Sequence, residues 1–153
     1  IEVFQAELEF QDFEPGREIA IDDSIQIRTA ALNHPQGAVG YRVDFEDKAI
    51  CYVSDTEHFE GRLDPNILEL IQDADIVIYD ATYTDEEYPK YVGWGHSTWR
   101  EGIRLCDAAN AKQLVLFHHD PGHDDAAMDT IGRDAAKVRP GTLVAAEGMT
   151  LVP

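Results

Sequence analysis

The sequence predicts a single α/β domain with a mixed sheet flanked by helices. Strand-like segments fill the first third of the 153 residues, and short apolar segments alternate with amphipathic ones in the rest. Such alternation favours parallel strands joined by helical crossovers. The hydrophobic content of 44% supports an ordinary core. Because no repeat, low-complexity tract or linker divides the chain, we expect residues 1–153 to form one domain.

The first third of the chain predicts four strands. Ile1–Phe10 and Ser24–Ala31 are segments of strand length, and the second alternates between apolar and polar residues as a half-buried strand does. Ala38–Phe45 and Lys48–Val53 are separated by an acidic pair and predict a hairpin. This part of the chain is therefore expected to be rich in β-structure.

The remainder predicts helices and buried strands in alternation. Thr98 followed by Glu101 fits a capping box at the start of a helix. Fully apolar strands such as ADIVIY are typical of strands buried on both faces. The expected elements are the helices Leu63–Ile71, Trp99–Ala109 and Asp125–Val138, and the strands Ala74–Tyr79, Gln113–Phe117, Leu143–Ala146 and Met149–Val152.

Charge and cysteine usage restrict the partners and the compartment. The chain has 30 acidic residues against 12 lysines and arginines, for a net charge of −18. Such a surface repels phosphate backbones, so we expect no nucleic-acid partner, although a salt-adapted organism is an alternative explanation of the same composition. Cys51 and Cys106 provide no disulfide framework, which favours a reducing, cytoplasmic location. No segment approaches the roughly 20 apolar residues of a membrane span.

The most informative chemical signal is Leu114–Asp125, LVLFHHDPGHDD, where three histidines and three aspartates follow a strand-like segment. Imidazole and carboxylate groups are the usual ligands of Zn²⁺ and similar catalytic metals. Open α/β sheets bind their ligands at the carboxyl ends of strands. Four residues elsewhere repeat the pattern, namely His34, Asp55, Asp80 and His96.

Three of the candidates share one placement. Asp55, Asp80 and His118 each follow directly on an apolar strand, so they converge at one edge of the sheet if those strands are parallel neighbours. His96 lies just before the capped helix, whose N-terminus favours an anion such as phosphate. Alone, each aspartate also fits an ordinary turn residue, and a single loop histidine fits an ordinary surface residue.

The other histidines have simpler interpretations. His118 and His119 are adjacent on an extended segment, so their side chains point in opposite directions and we expect only one to face a metal. His58 is expected to be a solvated loop residue. His123 lies at the acidic start of a helix, where its contribution to a site is left open.

Five segments in order resemble the second half of a metallo-β-lactamase-fold hydrolase. They are NHPQGAVGYRV, ICYVSDTEH, DADIVIYDATY, GHSTW and LVLFHHDP. The resemblance is closest to the ribonuclease Z and cyclic-phosphodiesterase branch, and it covers about residues 21–125. It implies the αββα fold of that family and a site with two divalent metal ions, Zn²⁺ or Mn²⁺. By motif, the implied metal ligands are His34, Asp55 and His118, with Asp55 bridging the two metals.

The same resemblance implies a reaction. His96, which opens the HST motif, would donate a proton to the leaving group or contact the phosphate, while Asp55 would hold the metals together for catalysis. Asp80 stands where the family has an acidic residue near the site and would support the ligands. Apart from the resemblance, we expect His119, the neighbour of His118, to be a supporting residue as well. We expect hydrolysis of a small phosphodiester, such as a cyclic nucleotide or cyclic ribose phosphate, by a hydroxide that the metals share. The alternatives are tRNA 3′ processing, a lactonase or thioesterase on the same fold, and a non-catalytic binding fragment.

One departure from the family limits these expectations. The family's H-x-H-x-D-H motif supplies about half of the ligands upstream of the His34 equivalent, yet no histidine precedes His34 in this chain. We therefore expect the chain to be the C-terminal half of a hydrolase that binds metal weakly and is inactive by itself. No membrane partner is expected, and a homodimer is consistent with the fold.

Overall fold

The structure is a computed structural model that describes residues 9–153. No helix among these residues is long and apolar enough to cross a bilayer. The strands are β1 Glu18–Ala20, β2 Ile25–Leu32, β3 Ala38–Phe45, β4 Lys48–Val53, β5 Ile76–Asp80, β6 Gln113–Phe117 and β7 Leu143–Val144. The helices are α1 Pro65–Ile71, α2 Trp99–Ala108 and α3 Asp125–Val138, with a short 3-10 helix at Tyr88–Lys90.

The α/β class and the mixed sheet are confirmed. In residues 9–153 the seven strands lie in the sheet in their order along the chain. Strands β1 to β4 pair antiparallel, whereas β4 to β7 pair parallel. Each parallel pair is joined through a helix, as parallel neighbours require. Strand β4 therefore separates an antiparallel half of the sheet from a parallel half.

Several element bounds differ from the sequence-based expectation. The expected strand Ile1–Phe10 lies outside the described residues except for its last two, which are not in a strand. The expected strand Met149–Val152 does not form, because the chain turns at Gly148, whose φ is 77°, and pairs with no strand of residues 9–153. Strand β7 is only two residues long. The sequence does not predict β1, because a strand of three residues is too short to show an alternation of apolar and polar residues.

Helix starts follow local capping chemistry. Asp64 caps α1 by accepting from the amide of Asn66, and a proline occupies the first helical turn, where its missing N–H costs nothing. Thr98 caps α2 by accepting from the amide of Glu101 at 3.3 Å. Only this half of the expected capping box forms, because the Glu101 carboxylate pairs with Arg104 instead. Both caps fix where the loops from the sheet enter the helices.

The core lies between one face of the sheet and the helices. Cys51, Val53, Val77 and the alternate residues of β6 are buried there, and both cysteines are free thiols. The buried Cys51 and Cys106 act as small apolar side chains, and burial raises the pKa of each thiol to about 12.

The opposite face of the sheet is apolar but open in the described part of the chain. Its large exposed side chains are Tyr41, Val43, Phe45, Tyr52 and Phe117. The register places them side by side, since Tyr41 pairs with Tyr52, and the rings of Tyr52 and Phe117 lie 5.9 Å apart. Contiguous apolar surface of this kind marks a face that another layer normally covers.

Asp75 links β4 to the start of β6 at the amino-terminal edge of the parallel strands. Its carboxylate accepts from the amide of Ala49 in β4 at 2.9 Å and from Nζ of Lys112, the residue before β6, at 2.7 Å. The hydrogen bond from Lys112, followed by that from Ala49, holds the pKa of Asp75 below its usual value. The charged form of Asp75 therefore stabilises the folded state.

We expect Asp75→Asn to lower the free energy of unfolding by about 1.5 to 3 kcal/mol at neutral pH, the worth of a hydrogen bond to a charged group. Because the folded pKa is depressed, this contribution is present above the unfolded value near 3.9 and is lost as the pH falls through the folded value. Urea unfolding of both proteins at pH 7 and pH 3 measures it. The exposed Asp129→Asn is the control, and an equal loss at both pH values would contradict the charge-based explanation.

Candidate metal centre

The carboxyl ends of three neighbouring parallel strands carry the expected donors. Asp55 follows β4, Asp80 ends β5 and His118 follows β6. His118 Nε2 lies 3.5 Å from Asp55 Oδ1, and His118 Nδ1 lies 3.9 Å from Asp80 Oδ2. The convergence expected from the sequence is therefore present, and it follows from the parallel pairing of these strands.

Asp55 and His118 adopt left-handed backbone conformations, with φ of 60° and 58°. Such a conformation costs about 1–2 kcal/mol for a residue with a Cβ. Hydrogen bonds hold both residues there: the Asp55 amide donates to Asp80 Oδ2 at 3.0 Å, and Thr82 Oγ1 donates to the His118 carbonyl at 2.7 Å. The strand ends are thus turned by contacts outside their own segments.

Asp80 is the centre of the hydrogen-bond network, and it is fully buried. Its Oδ2 accepts from the amide of Asp55 and lies 2.9 Å from His96 Nδ1. Its Oδ1 accepts from the amides of Thr82 at 3.2 Å and Ser97 at 3.3 Å. With both oxygens engaged, Asp80 fits the supporting place that the resemblance implied.

His96 lies between the other two histidines of the cluster. Its ring stacks on that of His118 with centroids 4.8 Å apart, and the ring of His34 is 6.1 Å away. The hydrogen bond to Asp80 raises the pKa of His96 above its usual value, against the opposing effect of burial. The pair with Asp80 therefore favours the protonated imidazole and fixes its orientation.

Two overlapping groups of side chains offer donors to a metal. His34, Asp55 and His96 each place one ligand atom within 4.8 Å of the others, and so do Asp80, His96 and His118. Imidazole nitrogen and carboxylate oxygen are the donors that Zn²⁺ accepts, so the donor set fits a divalent metal. All three ligands implied by the resemblance lie in this cluster, and His96 belongs to both groups.

A close approach of Gly95 fixes the position of His34. A Cβ on Gly95 would lie 2.2 Å from His34 Cδ2, and the φ of Gly95 is 88°. Both facts require glycine at this position. The amide of Gln36 donates to His34 Nδ1 at 3.2 Å, which engages one ring nitrogen with the backbone.

His58 is not the solvated loop residue that the sequence predicted. Its Nδ1 lies 3.0 Å from Ser97 Oγ, and its ring lies 4.2 Å from that of Tyr88. Ser97 Oγ also accepts from the buried hydroxyl of Tyr79 at 2.9 Å. Burial lowers the pKa of His58. The prediction was wrong because Tyr88 and Ser97 lie 30 and 39 positions after His58 in the chain. The position of His58 just after Asp55 was the one sequence signal that placed it near the site.

His119 and His123 lie outside the donor cluster. His119 Nε2 is 3.4 Å from the carbonyl of Ala145, beyond β7, and no hydrogen bond within residues 9–153 joins it to the cluster. His123 Nε2 is 2.9 Å from Glu87 Oε1. The supporting role expected for His119 therefore stays a prediction without a contact behind it.

Glu57 is a residue of this region that the sequence did not single out. Its buried carboxylate accepts from the amides of Gly93 and Gly95 and from the hydroxyl of Tyr88. Burial alone would raise its pKa, but these hydrogen bonds outweigh burial and hold the pKa of Glu57 below its usual value. The acidic residue two positions after Asp55 therefore lies beneath the loop that carries His96.

Comparison with known proteins agrees with this architecture. The family model of the beta-lactamase superfamily domain matches residues 2–119. Ribonuclease Z of Parabacteroides distasonis is 27% identical over 141 residues, covering 92% of this chain and 41% of that protein. Ribonuclease Z of Gemmatimonas aurantiaca is 32% identical over 133 residues, covering 87% of this chain and 38% of that protein. The metallo-beta-lactamase fold protein YhfI of Bacillus subtilis superposes with a TM-score of 0.73 at 19% identity, covering 90% of this chain and 52% of that chain.

The mixed sheet, whose parallel strands end in carboxylate and imidazole donors, superposes on a solved metallo-β-lactamase-fold protein, so the chain has that α/β fold. The chain belongs to the beta-lactamase superfamily, since the family match spans most of its length. Within that superfamily it lies in the ribonuclease Z-like branch, which confirms the resemblance stated above. The chain spans 41% and 38% of the length of the two ribonuclease Z relatives.

We expect Asp80→Asn to lower the pKa of His96 in the metal-free protein. The substitution removes the charge that stabilises the protonated ring, while burial, which opposes protonation, remains. Imidazole ¹H–¹⁵N correlation spectra recorded from pH 5 to pH 9 would give the value in each protein. Asp129→Asn is the control, and an unchanged His96 titration would show that Asp80 does not set its protonation.

Proposed function

We propose that this chain supplies half of the active site of a metal-dependent phosphodiesterase. The observation that carries the proposal is the pairing of Asp80 with His96, at 2.9 Å, inside a cluster of metal donors. His34, Asp55 and His118 would hold divalent metal ions, with Asp55 serving both. The further ligands would come from outside residues 1–153, because no histidine precedes His34.

The residues of this chain have distinct parts in the proposed reaction. When bound, the metals would activate the attacking water and neutralise charge on the phosphoryl oxygens. Asp80 orients His96 through Nδ1 and favours its protonated form, so that Nε2 is the atom that gives a proton to the leaving oxygen. Since the carboxylate of Asp80 is buried and both of its oxygens are hydrogen-bonded, it keeps the ring fixed while the proton leaves.

The charge of the chain favours a small substrate. A net charge of −18 opposes a long polyanion, whose binding depends on lysines and arginines that neutralise phosphates. A cyclic nucleotide or cyclic ribose phosphate presents one phosphodiester and little other charge. Such a substrate needs only the metals and His96 to offset its charge.

A second candidate, tRNA 3′ processing, is supported by the names of the relatives. Two curated relatives of 27% and 32% identity are called ribonuclease Z. Incubation of the complete gene product with 2′,3′-cyclic nucleotides and with precursor tRNA, each with Zn²⁺ or Mn²⁺, separates the two. We expect turnover of the cyclic nucleotides, and tRNA cleavage alone would replace the small-substrate proposal with the second candidate.

We expect His96→Ala in the complete gene product to lower kcat by about 10²- to 10⁴-fold, the usual contribution of a general acid. The bound metal, measured by elemental analysis of the same samples, is expected to change little. His34→Ala is the matched comparison, in which metal content and activity should fall together. If His96→Ala loses metal and activity in the same proportion, His96 is a ligand and not the proton donor.

A further inference from the structure

The Glu57 carboxylate binds the loop that leads into His96. Oε1 accepts from the amide of Gly93 at 2.7 Å and from the hydroxyl of Tyr88 at 2.8 Å. Oε2 accepts from the amide of Gly95 at 2.9 Å and also lies 3.0 Å from the amide of Gly93. The residue is only 8% exposed, so these bonds form away from bulk water. A charge-assisted bond in such a place is stronger than one on the surface.

The backbone of Glu57 is bound to a second segment of the site. Its amide donates to the carbonyl of Asn33 at 2.7 Å, and Asn33 Nδ2 donates to the carbonyl of Glu57 at 2.9 Å. Asn33 directly precedes His34, and Glu57 itself lies two residues after Asp55. One residue therefore connects the three segments that carry His34, Asp55 and His96.

Gly93 and Gly95 form a small anion-binding concavity around the carboxylate. Both have a φ of 88°, and their amides converge on the oxygens of Glu57. Backbone amides that converge in this way bind anions such as phosphate in other proteins. Here a side chain of the same protein fills the concavity, so these amides are not available to a substrate phosphate.

The position of the Gly93–Gly95 loop determines the distance between His34 and His96, two of the metal donors. Gly95 packs so closely on His34 that only a glycine fits, and His96 follows it directly in the chain. A small shift of the Gly93–Gly95 backbone therefore moves His96 and releases the ring of His34 at the same time.

We propose that Glu57 is a positioning residue, an internal anion that fills the Gly93–Gly95 concavity and thereby sets the arrangement of His34, Asp55 and His96 for metal binding. Glu57 does not bind the metal in this proposal. The proposal is independent of the substrate and of the reaction, because it concerns the geometry of the donors alone.

Glu57→Ala in residues 1–153 tests the proposal without any turnover. We expect amide exchange at Gly93 and Gly95 to quicken at least 10-fold, because their acceptor is gone. Trp94 lies between the two glycines and is 63% exposed, whereas Trp99 is 4% exposed, so steady-state anisotropy of the exposed indole reports local motion of the loop. We expect the anisotropy to fall, and the affinity for Co²⁺ to drop by about 10- to 100-fold, as for loss of a residue that orients ligands.

Addition of formate tests whether Glu57 acts as an anion and not only as a packing side chain. If Glu57 acts as an anion in the concavity, 50–200 mM formate should restore amide protection at Gly93 and Gly95 and the Trp94 anisotropy of Glu57→Ala. Chloride at equal ionic strength should restore little. The matched control is Glu87→Ala. The Glu87 carboxylate accepts from the amide of Thr84 and pairs with the ring of His123, but it contacts neither glycine. We expect this variant to leave both readouts unchanged.

Three results would overturn the proposal. The first is amide exchange at Gly93 and Gly95 that keeps its native rate in Glu57→Ala. The second is an equal effect of Glu87→Ala on amide exchange and anisotropy. The third is a folded Glu57→Ala protein whose lost amide protection is not restored by formate. Should Glu57→Ala fail to fold, Glu57→Gln replaces it, since the amide keeps one acceptor oxygen of similar size. We then expect one glycine amide to lose protection and the other to keep it, and protection of both would again overturn the proposal. If residues 1–153 bind no Co²⁺, the amide-exchange and anisotropy measurements still test the proposal.

Discussion

The site depends on one buried carboxylate. A charge in a fully buried position is tolerated only when donors surround it, and Asp80 meets that condition by accepting from the loop after β4, the turn after β5 and the loop before α2. Those loops are therefore held together by the need to satisfy Asp80. The orientation of His96, the turn at Asp55 and the approach of Thr82 to His118 all follow from it.

Strain at the strand ends is the second consequence of this arrangement. Asp55 and His118 both have left-handed backbone conformations. Residues with a Cβ seldom adopt this conformation, and where they do, the position is often part of a functional site. Hydrogen bonds to Asp80 and Thr82 offset that cost. The protein thus uses packing and hydrogen bonding elsewhere to keep two donors turned toward each other, an arrangement that an unstrained strand end would not give.

Local patterns predicted most of the fold and the donors. The spacing of apolar residues gave the correct bounds for the hairpin β3–β4, the strand β6 and the helix α3. The donors lie where the parallel strands end, as expected. The contribution of Glu57 could not be predicted, because its partners lie about 36 positions away and a glutamate in a loop has no distinctive pattern. The same holds for His58. The strand expected at Met149–Val152 failed because β-propensity cannot supply a partner strand.

The open apolar face of the sheet has a consequence for how copies of this protein behave together in solution. Aromatic and aliphatic side chains on that face attract one another between molecules, while a net charge of −18 keeps the molecules apart. The Debye length shortens from about 30 Å at 0.01 M salt to about 8 Å at 0.15 M, so salt weakens the repulsion and leaves the attraction. We therefore expect the colloidal stability of this chain to be highest in dilute buffer and to fall as the ionic strength rises.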